Sequence, residues 1–264
     1  NESHIFWYEV GGAWTLGGVG LRTVPNEAGA RLDPDAVAQA IRPENIHFPR
    51  TSLLCLENTH NRCGGAALTV EHTAAIADLA HGHGLMVHLD GARIFNAAVA
   101  LGVPAEKLTA SVDSVGFCIS KGLSAPVGSL LCGTGDFIDR ARKWRKMLGG
   151  GMRQVGVIAA AGIVALQTMV DRLAEDHATA RQLADGLAAI PGIGLDPAKI
   201  QTNIVFFESP ETMSGPEFIR RVSEQGVKVT NRSGRTIRAV TSRMVNAMDI
   251  TEALVRINSV VKDS

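Results

Sequence analysis

Short apolar runs alternate with helical patterns up to about residue 150, and this alternation constrains the fold more than any other feature of the chain. The runs are continuously apolar, which is typical of strands that are covered on both faces of a sheet. Strands that alternate with helices favour an α/β domain with a largely parallel sheet. The predicted strands cover residues 52–56, 85–89, 112–119 and 127–132.

The predicted helices between these strands have recognisable ends. Asp33 followed by Pro34 is typical of an N-cap and the first helical residue. Gly84 suits the position just after a helix, where a left-handed backbone conformation is common. The predicted helices cover residues 33–42, 70–84, 93–101 and 137–147, the last of them rich in basic residues.

One long predicted helix over residues 154–188 precedes a change in pattern. Shorter strands and helices follow it, which predicts a smaller α+β domain at the C-terminus. We place the domain boundary inside the long helix, with domains over 1–165 and 166–264. The predicted C-terminal strands cover 202–207, 227–229 and 236–241, and the predicted helices cover 216–225 and 251–261.

The composition excludes several classes of function. Lys plus Arg and Asp plus Glu each total 26 among 264 residues, so no basic field indicates a nucleic-acid partner. The longest apolar stretch, residues 155–166, is too short to cross a bilayer and predicts a core helix rather than a membrane contact. The cysteines lack the C-x-x-C spacing of metal and redox sites, which favours structural thiols, no metal and a cytoplasmic location. They are Cys55, Cys63, Cys118 and Cys132.

Two ionisable side chains follow predicted strands. Asp90 comes directly after residues 85–89, and Lys121 follows residues 112–119. Both therefore fall where ligands bind in parallel sheets, beyond the carboxyl ends of the strands. A pyridoxal phosphate (PLP) enzyme needs such a pair, because the lysine amine binds the cofactor covalently and the aspartate keeps its pyridine nitrogen protonated. The alternatives are a solvated surface lysine and an aspartate that caps a helix.

Ordered stretches over essentially the whole chain resemble the low-specificity L-threonine aldolases of the fold-type I PLP-dependent enzymes, in the group of beta-eliminating lyases. Specific examples are Leu-Glu-Asn-Thr-His-Asn at 56–61, His-Leu-Asp-Gly-Ala-Arg at 88–93 and Ile-Ser-Lys-Gly-Leu at 119–123. The resemblance implies an aspartate-aminotransferase-like α/β fold, with a mostly parallel central sheet and a smaller α+β C-terminal domain. Further matching stretches lie at 3–5, 44–51, 144–154 and 202–203.

The resemblance also implies roles for residues around the cofactor. Lys121 corresponds to the catalytic lysine that binds PLP, and Asp90 to the partner of the pyridine nitrogen. His4 corresponds to the histidine that stacks on the cofactor ring and takes part in catalysis. Arg93 is similar to an arginine near the cofactor oxygen and the substrate carboxylate.

On the substrate side, His47 corresponds to a histidine near the substrate hydroxyl group. It is our first candidate for the catalytic base, with a bound water as the alternative. Arg238 is similar to the arginine that binds the substrate carboxylate. Lys146 and Arg153 match basic residues that reach the active site across a subunit interface, so the resemblance implies a homodimer or homotetramer.

The implied reaction is PLP-dependent retro-aldol cleavage of L-threonine, L-allo-threonine and other β-hydroxy-α-amino acids to glycine and an aldehyde. The family's N-terminal Ser-Asp-Thr segment and phosphate-binding Gly-Thr pair have no counterpart here, and Ser242 stands where the family has a histidine. We therefore expect an N-terminally truncated aldolase. Two alternatives stay open, namely another PLP-dependent lyase and a non-catalytic fragment that cannot hold PLP.

Overall fold

The computed structural model describes residues 1–263 and divides into two compact units. The first unit spans Asn1–Val170 and the second begins at Asp171. The division therefore falls a little later than the boundary near residue 165 that the sequence suggested. Each unit has its own sheet.

The first unit is an α/β unit built on a four-stranded sheet with the order β1-β2-β3-β4. The first three strands are parallel, and β4 pairs antiparallel with β3. The sheet is thus mostly parallel, as the sequence predicted. The helices are α1 His4–Trp7, α2 Gly12–Thr15, α3 Pro34–Ala40, α4 Val70–Gly82, α5 Ile94–Leu101, α6 Ala105–Thr109, α7 Gly135–Met147 and α8 Gly156–Thr168. The strands are β1 Leu53–Glu57, β2 Met86–Asp90, β3 Ser114–Cys118 and β4 Ser129–Gly133.

Local features of the chain explain where α3 begins and where α4 ends. The Asp33 side chain accepts hydrogen bonds from the backbone N–H groups of Asp35 and Ala36, which satisfies two amides that have no partner inside α3. Helix α4 ends before Gly84, whose φ of 72° lies in the left-handed region. The predicted start of α3 and end of α4 are therefore confirmed.

The core of the first unit lies where α4, α5 and α6 pack on β2. Ile76, Val87, Leu89 and Leu108 are fully buried there. Strand β4 differs, because every one of its residues is exposed. The expectation that all four strands are covered on both faces is therefore wrong for β4, which forms the antiparallel edge of the sheet.

The second unit contains a three-stranded antiparallel sheet with the order β5-β7-β6. Its core includes Phe207 and Phe218, whose rings meet edge to face with centroids 5.7 Å apart. The predicted strand at 227–229 is wrong, because the strand lies further along the chain as β6. The elements are α9 Leu173–Ala188, β5 Ile204–Glu208, α10 Gly215–Glu224, β6 Thr230–Ser233, β7 Thr236–Val240 and α11 Ala247–Lys262.

The predicted single helix over 154–188 is wrong in two respects. It is two helices, α8 and α9, separated by residues 169–172. The sequence also predicted that residues 155–166 form a core helix, whereas Val157, Ile163 and Val164 of α8 are 83%, 57% and 56% exposed. Within the described residues, no single helix is long and apolar enough to cross a bilayer. The bent pair of α8 and α9 together has the length and apolar composition of a membrane span, by those two criteria alone.

Candidate active site

The carboxyl ends of the three parallel strands form one edge of the first sheet, which we call the carboxyl edge. Strand β1 ends at Glu57 and β2 ends at Asp90, and these two residues are paired in register. Asp90 also pairs with Gly116 of β3, and the chain reaches Lys121 shortly after β3 ends. The topology therefore places two carboxyl groups and one amine at the same edge of the sheet.

Hydrogen bonds to both neighbouring strands fix the position of Asp90. Its carbonyl oxygen accepts the N–H of Asn58 at 2.8 Å, and the next residue, Gly91, donates to the carbonyl oxygen of Gly116 at 2.7 Å. A Cβ on Gly91 would lie 3.0 Å from a methyl carbon of Val115 and 3.1 Å from that carbonyl oxygen, so a larger residue would crowd the neighbouring strand. The Asp90 side chain is half-buried, and its Oδ1 accepts the N–H of Ala92 at 3.0 Å.

Lys121 lies in a tight turn between β3 and β4. Its carbonyl oxygen accepts the N–H of Ser124 at 2.9 Å, and Ala125 donates to Ile119 at the same distance. Leu123 and Ala125 are buried beneath the turn, whereas Lys121 is exposed. The backbone of the lysine is therefore held in place while its side chain is accessible.

Glu57 is the most deeply buried carboxyl group at the carboxyl edge, with an exposed fraction of 4%. Its Oε2 accepts the N–H of His4 at 2.6 Å, and its Oε1 accepts the N–H of Asn61 at 2.8 Å. Burial raises the pKa of Glu57 to about 7, although the two amides favour the ionised form. The negative charge of Asp90 raises this pKa further and the positive charge of Arg93 lowers it, so these two side chains act on Glu57 at close range.

His4 and Arg93 both adjoin this group of carboxylates. His4 begins α1, and its half-exposed ring has Nδ1 2.6 Å from Oε1 of Glu9 and its centroid 4.5 Å from that of the Tyr8 ring. Arg93 is half-buried at the N-cap position of α5, in the loop that follows Asp90. The structure thus brings His4, Asp90 and Arg93 together around Glu57.

Four other predicted site residues lie on other segments of the chain. His47 lies on an exposed loop between α3 and β1, where its N–H donates to the Asn45 side chain at 2.9 Å. Lys146, in the last turn of α7, donates to the carbonyl oxygen of Gly151 at 3.4 Å, and Arg153 is exposed in the loop that follows. Arg238 lies on β7 of the second unit, opposite Phe206 in register.

The side chains at the carboxyl edge fit PLP in their chemistry. Lys121 supplies an accessible amine, which the cofactor's aldehyde requires. Asp90 supplies a half-buried carboxylate on a neighbouring strand, which a protonated pyridine nitrogen requires. His4, whose backbone N–H donates to Glu57, supplies a half-exposed flat ring. Within residues 1–263, no group of His, Cys, Asp and Glu side chains could hold a metal ion.

The chain is similar to known proteins in sequence and in fold. A family model described as beta-eliminating lyase matches residues 1–210. The low-specificity L-threonine aldolase 1 of Arabidopsis thaliana is 43% identical over 254 residues, which cover 95% of this chain and 71% of that protein. The low specificity L-threonine aldolase of Escherichia coli K12 is 46% identical over 204 residues, which cover 77% of this chain and 60% of that protein. The solved threonine aldolase of Leishmania major superposes with a TM-score of 0.79 at 19% identity, covering 98% of this chain and 75% of that one.

The chain belongs to the beta-eliminating lyase family. Within that family it is a homologue of the low-specificity L-threonine aldolases. Its fold is that of the fold-type I PLP-dependent enzymes, as the sequence predicted. The roles of individual site residues stay predictions.

Glu57 and His88 were not among the predicted site residues of this lyase homologue. Glu57 directly follows a predicted strand, so the rule that selected Asp90 would also have selected it. His88 lies two residues before Asp90 on β2, and its Nδ1 is 2.8 Å from the hydroxyl oxygen of Ser114. Burial lowers the pKa of His88, whereas the Asp90 charge raises it, and only the folded structure shows that the effect of burial is the larger.

Proposed function

We propose that this chain is a PLP-dependent aldehyde-lyase that cleaves L-threonine, L-allo-threonine and related β-hydroxy-α-amino acids to glycine and an aldehyde. The observation that carries the proposal is the placement of Asp90 and Lys121 at the carboxyl edge of one sheet. Its support is the 43–46% identity to low-specificity L-threonine aldolases of plant and bacterial origin.

The proposed roles follow from the chemistry of each side chain. PLP, when bound, supplies an electron sink for the bond that breaks in the amino acid. Lys121 would bind the cofactor covalently through its accessible amine. Asp90 would keep a proton on the pyridine nitrogen, because a carboxylate at hydrogen-bond distance stabilises the positive charge there. His4 would lie against the cofactor ring, and Arg93 would provide positive charge near the cofactor oxygen.

On the substrate side, Arg238 is proposed to bind the carboxylate, because its planar guanidinium can form two parallel hydrogen bonds with that group. His47 is proposed to remove the proton from the β-hydroxyl group, since an imidazole accepts protons near neutral pH. Replacement of His47 by asparagine is expected to lower turnover while leaving cofactor attachment intact. Unchanged turnover would make a bound water the better assignment.

We also propose a cytoplasmic homodimer or homotetramer that acts in threonine catabolism and glycine synthesis. The exposed apolar side chains of α8 support an interface between copies, because exposed apolar surface is costly in water. Lys146 and Arg153 are proposed to lie at that interface. Sedimentation of the purified chain would test the oligomeric state.

Visible absorbance with added PLP is the experiment that tests the proposal. The chain should develop an absorbance band that Lys121→Ala abolishes and that Lys107→Ala, a change at an exposed position of α6, leaves intact. Borohydride reduction should then attach the cofactor to Lys121, as judged by peptide mass spectrometry. Absence of the band in folded protein would contradict the proposal.

Product analysis then separates the proposed reaction from its alternative. Threonine should yield glycine and acetaldehyde in equal amounts. Ammonia and a keto acid would instead identify a PLP-dependent elimination.

A further inference from the structure

The carboxyl group of Glu57 joins two segments that are distant in sequence. One of its oxygens accepts the N–H of His4, which lies 53 residues earlier, and the other accepts the N–H of Asn61 in the loop after β1. A carboxylate that accepts two backbone N–H bonds is held more tightly than a neutral acceptor would be. Because Glu57 is 4% exposed, water does not compete for these bonds.

The segment that carries Glu57 is fixed independently of His4. The N–H of Asn58 donates to the carbonyl oxygen of Asp90, and the Asn58 side chain exchanges two hydrogen bonds with the backbone of Leu68, at 3.0 and 3.1 Å. Asn58 is fully buried. The dipeptide Glu57-Asn58 therefore has a fixed position relative to Asp90. The hydrogen bond that Glu57 accepts from His4 fixes the backbone of His4 relative to Asp90 as well.

The other contacts of the N-terminal segment are longer or nearer the surface. Ser3 Oγ lies 3.5 Å from Nε2 of His60, and Glu2 pairs with Arg62 at 2.8 Å near the surface. Neither contact involves His4 itself. The ring of His4 contacts Glu9, but the Glu9 side chain is 63% exposed. Glu57 is thus a buried acceptor that holds the backbone of His4 directly.

We propose that Glu57 is a positioning residue, which holds the backbone of His4 beside Asp90 and thereby sets where the His4 ring lies against the cofactor. The second half of this statement rests on the proposed function, whereas the first half concerns the chain alone. Glu57 touches neither cofactor nor substrate in this proposal and acts through His4.

Protonation of Glu57 would weaken this link. A protonated carboxyl group has no charge and one of its oxygens becomes a hydroxyl, so the two amides then donate to a weaker acceptor. The raised pKa of Glu57 places this change near neutral pH. The ionisable groups that face Glu57 are Asp90, Arg93, His60 and the N-terminal amine of Asn1, and His4 contributes only its backbone amide.

Amide hydrogen exchange, read by mass spectrometry with fragmentation, tests the first half without any cofactor. In Glu57→Gln, one amide faces an NH₂ group instead of an oxygen, and in Glu57→Ala both amides lose their acceptor. Exchange at His4 should therefore accelerate at least about tenfold in Glu57→Ala and by less in Glu57→Gln. Glu2→Gln is the matched control, and it should change exchange at His4 less than about twofold. Unchanged exchange in both Glu57 variants would overturn the proposal, and Glu57→Gln keeps the test valid if the alanine variant fails to fold.

PLP titration of the same variants tests the second half. If His4 depends on Glu57, Glu57→Gln should weaken PLP binding at least about fivefold and should remove the pH dependence of the visible band between pH 5 and 8. Faster exchange with unchanged PLP affinity and pH profile would overturn the link to the cofactor. Failure of the unmodified chain to form a Lys121-dependent band would count against the proposed function, while the exchange data would still decide whether Glu57 positions His4.

Discussion

Replacement of Glu57 by glutamine is expected to change how the stability of the first unit depends on pH. Burial raises the pKa of Glu57 from its ordinary value of 4.5 to about 7 in the folded chain. Between these two pH values the folded state binds more protons at this group than the unfolded state does. The free energy of unfolding therefore falls as pH rises through this window, and the contribution is lost above pH 7.

The magnitude follows from the two pKa values. One pKa unit corresponds to about 1.4 kcal/mol, so ionising the buried carboxyl group costs about 3 kcal/mol of stability between pH 4.5 and pH 8. Glutamine does not titrate, so Glu57→Gln lacks this contribution. The difference in unfolding free energy between the two proteins should thus shift by about 3 kcal/mol across the window, in favour of the variant at high pH.

Urea denaturation followed by tryptophan fluorescence is a suitable assay. Trp7, Trp14 and Trp144 are the three tryptophans of the chain, and all of them lie in the first unit with Glu57. Their fluorescence therefore reports the unfolding of that unit. Glu2→Gln serves as the control, because the Glu2 side chain lies near the same loop but is 26% exposed.

A pH-independent difference between the unmodified chain and Glu57→Gln would refute the reasoning. It would mean that Glu57 has its ordinary pKa and that its carboxyl group is solvated. A shift of similar size in Glu2→Gln would also refute it, because the effect would then not depend on burial. The predicted sign would be contradicted if the unmodified chain became more stable relative to Glu57→Gln as pH rises.

Three further predictions concern other parts of the chain. Asp33→Ala should lower the stability of the first unit by about 1 kcal/mol, because the start of α3 loses its cap, and urea midpoints would show this. Phe218→Ala should cost about 3–5 kcal/mol in the second unit, measured by circular dichroism, because the ring is fully buried against Phe207. Under the proposed function, Arg238→Lys should raise the KM for threonine at least about tenfold in steady-state assays, since lysine cannot bind the carboxylate in a bidentate manner.

Local sequence patterns predicted most of the elements. The cap at Asp33 and the left-handed glycine at Gly84 depend only on residues a few positions away, so they are readable without the fold. The strands of the first sheet lie within two residues of their predicted ends, because short apolar runs between helices have few other structures available.

Elements that depend on distant partners were predicted less well. Residues 169–172 contain neither glycine nor proline, so nothing in the sequence indicates that the helix breaks there. Residues 227–229 have a strand-like pattern, yet the strand forms at Thr230–Ser233, where Thr230 pairs with Arg238 of β7. Pairing with a neighbouring strand decides where a strand forms more strongly than the intrinsic strand propensity of the residues does, and the tertiary fold sets that pairing.

The sequence by itself determined the fold class and placed Asp90 and Lys121 at the ends of strands, because the carboxyl ends of parallel strands meet at one edge whatever the details of packing. Only the tertiary structure decided which groups gather around that edge. The bond between Glu57 and the backbone of His4 spans 53 residues, and the raised pKa of Glu57 comes from its burial in the folded chain. Hydrogen bonds over such separations and the exclusion of water arise only when the chain is folded, so no local pattern contains them.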